Sequence, residues 1–267
     1  YVQDAFGMTT RLQKEVERPT KNYDDCWYER AMTEYFTRKL AHNENRINHC
    51  RLVPFWQLYL YCVKVKGNDD FYKDLYESVR MTPNPVTAGK CQLEFVKKAC
   101  AAAKMDLTPF FEKFGFLKPF RQEVNDYGKR VFEVTAEDIE QTRKEIKAKK
   151  YPKLQLPFWY ITDNTVDLFK SPQPVKTGTA ICKGNTFTMK DWKGVAAYEV
   201  FQKGKLVFVA PLQQFTVEGV IVDEKTKVYA IAADGKKTEV DFQWTEDLEQ
   251  QRKMKERVSK YGNMYNR

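Results

Sequence analysis

Apolar positions recur at three- and four-residue intervals over roughly the first 155 residues, the spacing of one helical face. In "DDFYKDLYESVR" the stripe is Phe71, Tyr72, Leu75, Tyr76 and Val79, with Asp69 or Asp70 placed to cap it. "LVPFWQLYLYCVKV", residues 52–65, is apolar nearly all round, which predicts a helix buried inside a protein core. "DDCWYERAMTEYFTRKLAHN" and the Ala-rich "KCQLEFVKKACAAAKM" continue the helical pattern, with turns such as "TPNPVTAG" between them. "VTAEDIEQTRKEIKAKK" opens on a capping box, Thr135 with Asp138 in place of the usual Glu.

The stretch "DLTPFFEKFGF", residues 106–116, predicts a short helix plugged into a core by its rings. Thr108 stands where a side-chain oxygen can accept a first-turn N–H. Pro109 follows at the first helical position, where a missing donor costs nothing. Gly115 falls where a left-handed residue ends a helix. Phe110, Phe111 and Phe114 share the helical spacing, and Phe116 extends the apolar surface beyond it.

The pattern changes at "YPKLQLPFWYITD", where Pro152 and Pro157 interrupt the helical period and strand formers follow. "AAYEVFQKGKLVFVA" reads as a hairpin turning at Lys203-Gly204. "KVYAIAADGKKTEVDF" reads as another, with Asp234-Gly235 suited to a two-residue primed turn. Helical spacing returns from a Thr245 cap to about Tyr261. The expected class is α+β: a helical domain over residues 1–155, then residues 156–267 as a small antiparallel β-sandwich-like domain with a terminal helix.

Composition narrows the class further. Apolar residues make up 42% of the 267, enough to exclude a disordered chain. The longest apolar run falls short of the roughly 20 residues a bilayer span needs, so no transmembrane segment is expected. The net charge of +9 invites a nucleic-acid partner, but its lysines and arginines are interleaved with acids, as in "EDLEQQRKMKERVSK". Such alternation marks a solvated helix face, and no nucleic acid is expected. Cys26, Cys50, Cys62, Cys91, Cys100 and Cys182 lack C-x-x-C spacing, which argues against a zinc knuckle. On one straight helix Cys91 and Cys100 would lie about 13 Å apart on opposite faces, out of bridging range. These thiols are expected to act mostly as small buried hydrophobes.

A search for chemistry finds little. His42 and His49 are the only histidines. "HNENRINHC" is polar and Asn-rich, so a break between them and a surface or turn position for each is expected. A catalytic zinc needs about three protein ligands with an open position, and this pair does not supply them. No H-E-x-x-H, G-x-S-x-G or Gly-rich phosphate loop is present.

"CQLEFVKKACAAAKMDLTPFFEKFGFLKPF" resembles a segment of the enhancin-like, mucin-degrading zinc metallopeptidases of peptidase family M60, especially those of gut Bacteroides. The resemblance extends through "FWQLYLY", "FYKDLYESVR" and "VNDYGKRVFEVTAEDIEQTRKEI". "YVQDAFGMTTRL" is similar to the segment that follows the family's metal-binding helices. "WKGVAAYEVFQKGKLVFVA" and "KVYAIAADG" are similar to a β-domain appended after the peptidase. The resemblance implies the C-terminal helical subdomain of the peptidase, one wall of its cleft, plus a β-module. The family's zinc site is an HExxH helix with a further Glu, and no residue here stands in for it. Opening on Tyr1 without an initiator Met, the sequence reads as a portion of something longer. Zinc is expected in the intact parent and not in this chain, which is expected to be inactive alone.

On that resemblance the parent is a secreted or cell-surface gluzincin-type endopeptidase acting on mucin-type O-glycoproteins. Its partners would be a host glycan and an N-terminal catalytic subdomain. A second reading is a noncatalytic glycan-binding or cell-surface interaction protein on a degenerate peptidase scaffold. There Trp192, Tyr198 and Phe201 would form a sugar platform; the alternative for those rings is ordinary sandwich core.

Overall fold

The computed structural model describes residue 12 and residues 26–85, 87–125, 128–250, 252, 253 and 256. They fall into two units, residues 34–170 and residues 171–267 together with 1–33, the division lying within the first helix. The first eleven residues, read above as following the metal-binding helices, lie outside the described set. The class is α+β, helices preceding antiparallel-rich sheets, as the sequence pattern predicts.

The helical unit takes in the second part of α1 (Trp27–Arg38), a 3-10 turn at His42–Glu44, and α2 (Asn48–Tyr59). α2 runs on into a π-helical turn, Leu60–Val65. α3 (Phe71–Met81), α4 (Ala88–Ala103) and α5 (Thr108–Lys113) follow, then a β-hairpin of β1 (Phe120–Asn125) and β2 (Lys129–Val134). α6 (Ala136–Ala148), a 3-10 turn at Phe158–Tyr160 and α7 (Val166–Lys170) complete it. The hairpin interrupts a region whose spacing reads as helical. "FRQEVN" and "KRVFEV" alternate polar with strand-forming residues, and the turn between them holds Gly128 at φ 121°.

Aromatic rings make this unit's core. Phe110, Phe111 and Phe114 are fully buried and Phe116 nearly so. Phe158 is sandwiched, its ring 4.1 Å from Tyr61 at 4° and 4.4 Å from Phe110 at 14°. Phe114 meets Tyr35 and Phe36 edge-on at 5.5 and 5.4 Å. The Gln57 amide on α2 donates to the Trp159 and Ile161 carbonyls, both at 2.8 Å, tying the Phe158–Tyr160 turn to the helix. Of the α3 stripe, Phe71, Tyr72 and Leu75 are buried, while Tyr76 and Val79 are exposed.

Within the helical unit the caps depart from the sequence pattern at two helices. The α5 start is held by Asp106, whose carboxylate accepts the Thr108 N–H at 3.0 Å; Thr108 itself makes no cap. A carboxylate is the better acceptor there, because the N-terminal end of a helix carries partial positive charge. Asp70 occupies the α3 cap position, but its side chain pairs with Lys73 at 3.2 Å instead of the backbone. Thr135 caps α6 as expected, accepting the Asp138 N–H at 3.1 Å.

The β unit contains two four-stranded sheets. β3 (Thr179–Lys183), β4 (Thr186–Lys190), β7 (Gln214–Thr216) and β10 (Gln243–Thr245) run in the order β10-β3-β4-β7. β5 (Val195–Gln202), β6 (Lys205–Ala210), β8 (Lys227–Ala232) and β9 (Lys237–Glu239) run in the order β6-β5-β8-β9. All pairings are antiparallel except β10 with β3. Inward residues alternate along β3 and β4 (Ala180, Cys182; Phe187, Met189) and meet Tyr198, Val200, Phe208 and Val228 from the other sheet. That shared core makes the unit a sandwich.

The β5–β6 hairpin turns at Lys203-Gly204, both at positive φ, as a primed turn demands. The β8–β9 turn differs from the expected two-residue form. Ala232 accepts from Gly235 at 2.9 Å and only Gly235 is left-handed, so the loop is the three-residue kind with a glycine bulge. Asn185 in the β3–β4 turn is fully buried. Its amide donates to the Val217 and Val220 carbonyls at 2.8 and 2.6 Å and accepts from Val222 N–H at 3.1 Å. The C-terminal helical stretch is capped by Asp247, which accepts the Gln250 N–H at 2.9 Å; Thr245 belongs to β10. Residues 257–261 of the expected helix lie outside the described set. Among the described residues no helix is long and apolar enough to cross a membrane.

Candidate functional site

The end of α5 builds the site's floor. Gly115 sits at φ 70°, and a Cβ there would lie 2.0 Å from the Leu40 carbonyl oxygen. That close approach lets the Gly115 carbonyl accept the His42 N–H at 2.9 Å. His42 is thereby drawn under Phe116, their rings 3.8 Å apart at 23°, with Phe55 edge-on at 5.8 Å. Tyr35 donates its hydroxyl to the His42 carbonyl at 3.0 Å and stands 3.4 Å from Nδ1. His42 lies on a turn, as expected, but it is 5% exposed and so belongs to the core and not to the surface. Burial first, and the nearby Arg51 charge second, hold its pKa at about 3, with the Phe114 backbone pulling the other way. The ring is neutral at physiological pH.

The turn beyond His42 leads into α2. Glu44 closes the 3-10 turn on the Ala41 N–H at 2.9 Å, and Asn45 accepts the Ile47 N–H at 3.0 Å. α2 then begins at Asn48, which places Arg51 and Leu52 on its first turn and Phe55 one turn later. Arg51 is half-buried and donates to the Asn48 side-chain oxygen. Among the described residues it forms no ion pair. From α4, Gln92 accepts from Asn43 at 2.7 Å and donates to the Phe116 carbonyl at 2.8 Å.

These elements enclose an open cleft of about 500 Å³. Phe55, Phe95, Phe116 and Phe132 supply ring walls, Leu52 stands 53% exposed at its edge, and Asn43, Asn48, Arg51 and Gln92 supply polar groups. Cys91 also lines the cleft, with its thiol on the Pro85 carbonyl at 3.8 Å, and among the described residues no hydrogen bond joins that thiol to His42. Among the described residues no three His, Cys, Asp or Glu side chains gather as metal ligands would, and His49 lies on α2 while His42 lies on the preceding turn. These residues do not fit a zinc ion. The six cysteines are free thiols; burial pushes Cys62, Cys100 and Cys182 up to about 12, which leaves them unreactive.

Trp192 and Tyr198 lie in the sandwich core, 3% and 1% exposed, with the Trp192 indole N–H given to the Thr179 carbonyl at 3.1 Å. Tyr198 stacks on Phe215 at 5.8 Å. Phe201 is half-buried, edge-on to Tyr229 at 5.6 Å, with Lys237 Nζ 5.2 Å from its centroid. The structure does not bring the three rings to one open face. Arg51 and Gln92 escaped the sequence reading. The available signal was a single cation in an otherwise apolar helix, "CRLVPFWQLY".

Comparison with known proteins places this geometry. Residues 1–115 match the family described as Peptidase M60, enhancin and enhancin-like. No curated protein matches the sequence. A metallopeptidase from Bacteroides thetaiotaomicron is similar in structure with a TM-score of 0.61 and 25% identity, over 79% of this chain and 41% of that one. A metallopeptidase in complex with Tn antigen is similar at a TM-score of 0.58 and 25% identity, over 79% and 45%. The M60 catalytic domain of Clostridium perfringens ZmpC, in complex with the sialyl T antigen, shares the fold at a TM-score of 0.53 and 19% identity, over 89% and 44%. The chain thus spans less than half the length of these solved relatives. Residues 1–115 thus carry the pattern of the Peptidase M60, enhancin and enhancin-like family, and the fold is similar to that of solved M60 metallopeptidases.

Proposed function

We propose that this chain is the C-terminal portion of a secreted or surface-bound zinc endopeptidase that acts on mucin-type O-glycoproteins. The observation that carries the reading is the joint match, family pattern over residues 1–115 and 25% identity over 79% of the chain to a Bacteroides metallopeptidase. Support for a glycoprotein substrate comes from relatives solved with Tn and sialyl T antigens. In this reading residues 1–155 are the helical subdomain that walls the substrate cleft, and residues 156–267 are an accessory β-module. Zinc, in this reading, is held in the parent by residues other than those described here. On the same reading the chain alone is inactive, because among the described residues no ligand cluster would hold a metal that lowers the pKa of a water.

The test is metal analysis beside a mucin-cleavage assay, on this chain and on the longest product of its gene. Zinc and cleavage in the longer product alone are expected, together with an HExxH sequence upstream of Tyr1. Stoichiometric zinc with cleavage by the 267-residue chain would overturn the assignment of inactivity. A longer product without HExxH would remove the peptidase reading altogether.

A further inference from the structure

We propose that the cleft over His42 binds a sugar that carries a carboxylate, with Arg51 as the group that pairs it. The proposal rests on the glycoprotein reading above only for the source of the sugar. Arg51 projects from the first turn of α2 into the cleft wall, and its one described hydrogen bond goes to the Asn48 amide. The planar fork of a guanidinium matches a carboxylate in a bidentate pair. His42 beside it is neutral, so the cleft offers one positive charge and not two. One cation in a ring-lined recess balances a single negative charge; a phosphate dianion would leave an uncompensated charge against apolar walls.

The remaining lining selects the body of the ligand. Phe55, Phe95 and Phe132 are half-buried and line the recess, where the apolar face of a sugar ring can lie against them. Asn43, Asn48 and Gln92 stand between the rings and offer amide groups to hydroxyls. A volume of about 500 Å³ accommodates a hexose or nonulose ring with its substituents. An aspartate or glutamate side chain would satisfy Arg51 but leave the ring walls uncovered, so an acidic peptide fits less of what is present.

The experiment is calorimetric titration of the full chain with the methyl glycosides of N-acetylneuraminic acid and glucuronic acid. The methyl ester of the first, methyl galactoside and an acetylated glutamate peptide complete the set. At least one acidic sugar should bind, with the ester and galactoside weaker by at least about tenfold. The stronger of the two acids identifies the sugar. R51Q should weaken acid binding at least about tenfold, and R51K, which keeps the charge without the fork, by less. Near-UV circular dichroism checks that both variants fold, and K237Q in the β unit should bind as the parent sequence does. Equal binding of acid and ester, unchanged binding by R51Q, or no binding up to about 10 mM would overturn the proposal. Tighter binding of the peptide would overturn the choice of a sugar. Binding is read on this chain without proteolysis, so its failure leaves the mucin-cleavage result of the longer product standing, and the reverse.

Discussion

In the helical unit Phe55, Phe95 and Phe132 stand half-buried around a cleft, whereas in the β unit Trp192, Tyr198, Phe187 and Phe215 are shut inside the sandwich. Both regions are rich in rings, and the difference lies in how their backbones meet. Two sheets facing one another interdigitate and close over the rings that lie between them. Short helices joined by a 3-10 turn and a hairpin do not seal: α2, α4 and the β2 strand diverge around His42 and Phe116, and the gap between them is the cleft. Aromatic content therefore says that a region has a core. It does not say whether a ring face is left over for a ligand.

The sharpest way to break that comparison is to remove one ring of each kind within the helical unit. Phe110 is fully buried between Phe158 and Phe111, and F110A should cost about 3–5 kcal/mol through lost burial and the cavity it leaves. Phe132 already faces water on one side, and F132A should cost under about 1 kcal/mol. Urea unfolding measures both; equal costs would mean the cleft rings are core rings.

A polar pair sharpens the contrast between units. Asn185 is sealed in the β unit, and N185A strands two carbonyls and one N–H, at about 2–4 kcal/mol in all. Gln92 makes two hydrogen bonds of similar length at the cleft, where water can replace them, so Q92A should cost about 1 kcal/mol or less. The same unfolding titration decides, and a Gln92 cost matching that of Asn185 would show a cleft closed to solvent.

Acid should separate the units as well. The His42 pKa is about 3 in the folded chain against about 6.5 in an unfolded one. Between those values the unfolded state carries a proton that the folded state refuses. The stability contributed by the neutral ring is complete above about pH 6.5 and falls by about 1.4 kcal/mol per pH unit below it, until about pH 3. That amounts to about 2 kcal/mol by pH 5. The β unit contains no histidine, since His42 and His49 are the only two. Hydrogen exchange at pH 7 and pH 5, corrected for intrinsic rates, should show protection lost in α1, α2 and α5 and kept in β5 and β8. H42F should flatten the loss.

Much of this was legible in residue order. The stripe of Phe110, Phe111 and Phe114, the Gly115 stop, the Thr135 cap and the Lys203-Gly204 turn follow from local sterics and hydrogen bonding, which neighbours in sequence decide. The burial of His42 was not legible, because the side chains that cover it, Phe55, Phe116 and Tyr35, come from three separate elements. The same holds for Arg51 and Gln92, whose surroundings exist only once α2, α4 and the His42–Glu44 turn converge. The β1–β2 hairpin was obscured by a helical reading on both sides of it. Tyr198 was placed by sheet register, which a single strand does not encode.

The smallest expected effect tests how far such local reading can be trusted at helix starts. Thr108 and Thr135 occupy equivalent places in their sequences, each just ahead of a helical pattern and each able to accept a first-turn N–H. In the structure only Thr135 does so, taking the Asp138 N–H at 3.1 Å, while Asp106 serves α5 in place of Thr108. T135A should therefore cost about 1 kcal/mol, the usual loss of a hydroxyl cap. T108A should cost only a few tenths, and D106A should take over the penalty of about 1 kcal/mol at α5. Thermal unfolding of the three variants reads the order directly. A T108A cost equal to that of T135A would return the cap to the threonine and make sequence position, and not acceptor charge, the deciding factor at that helix.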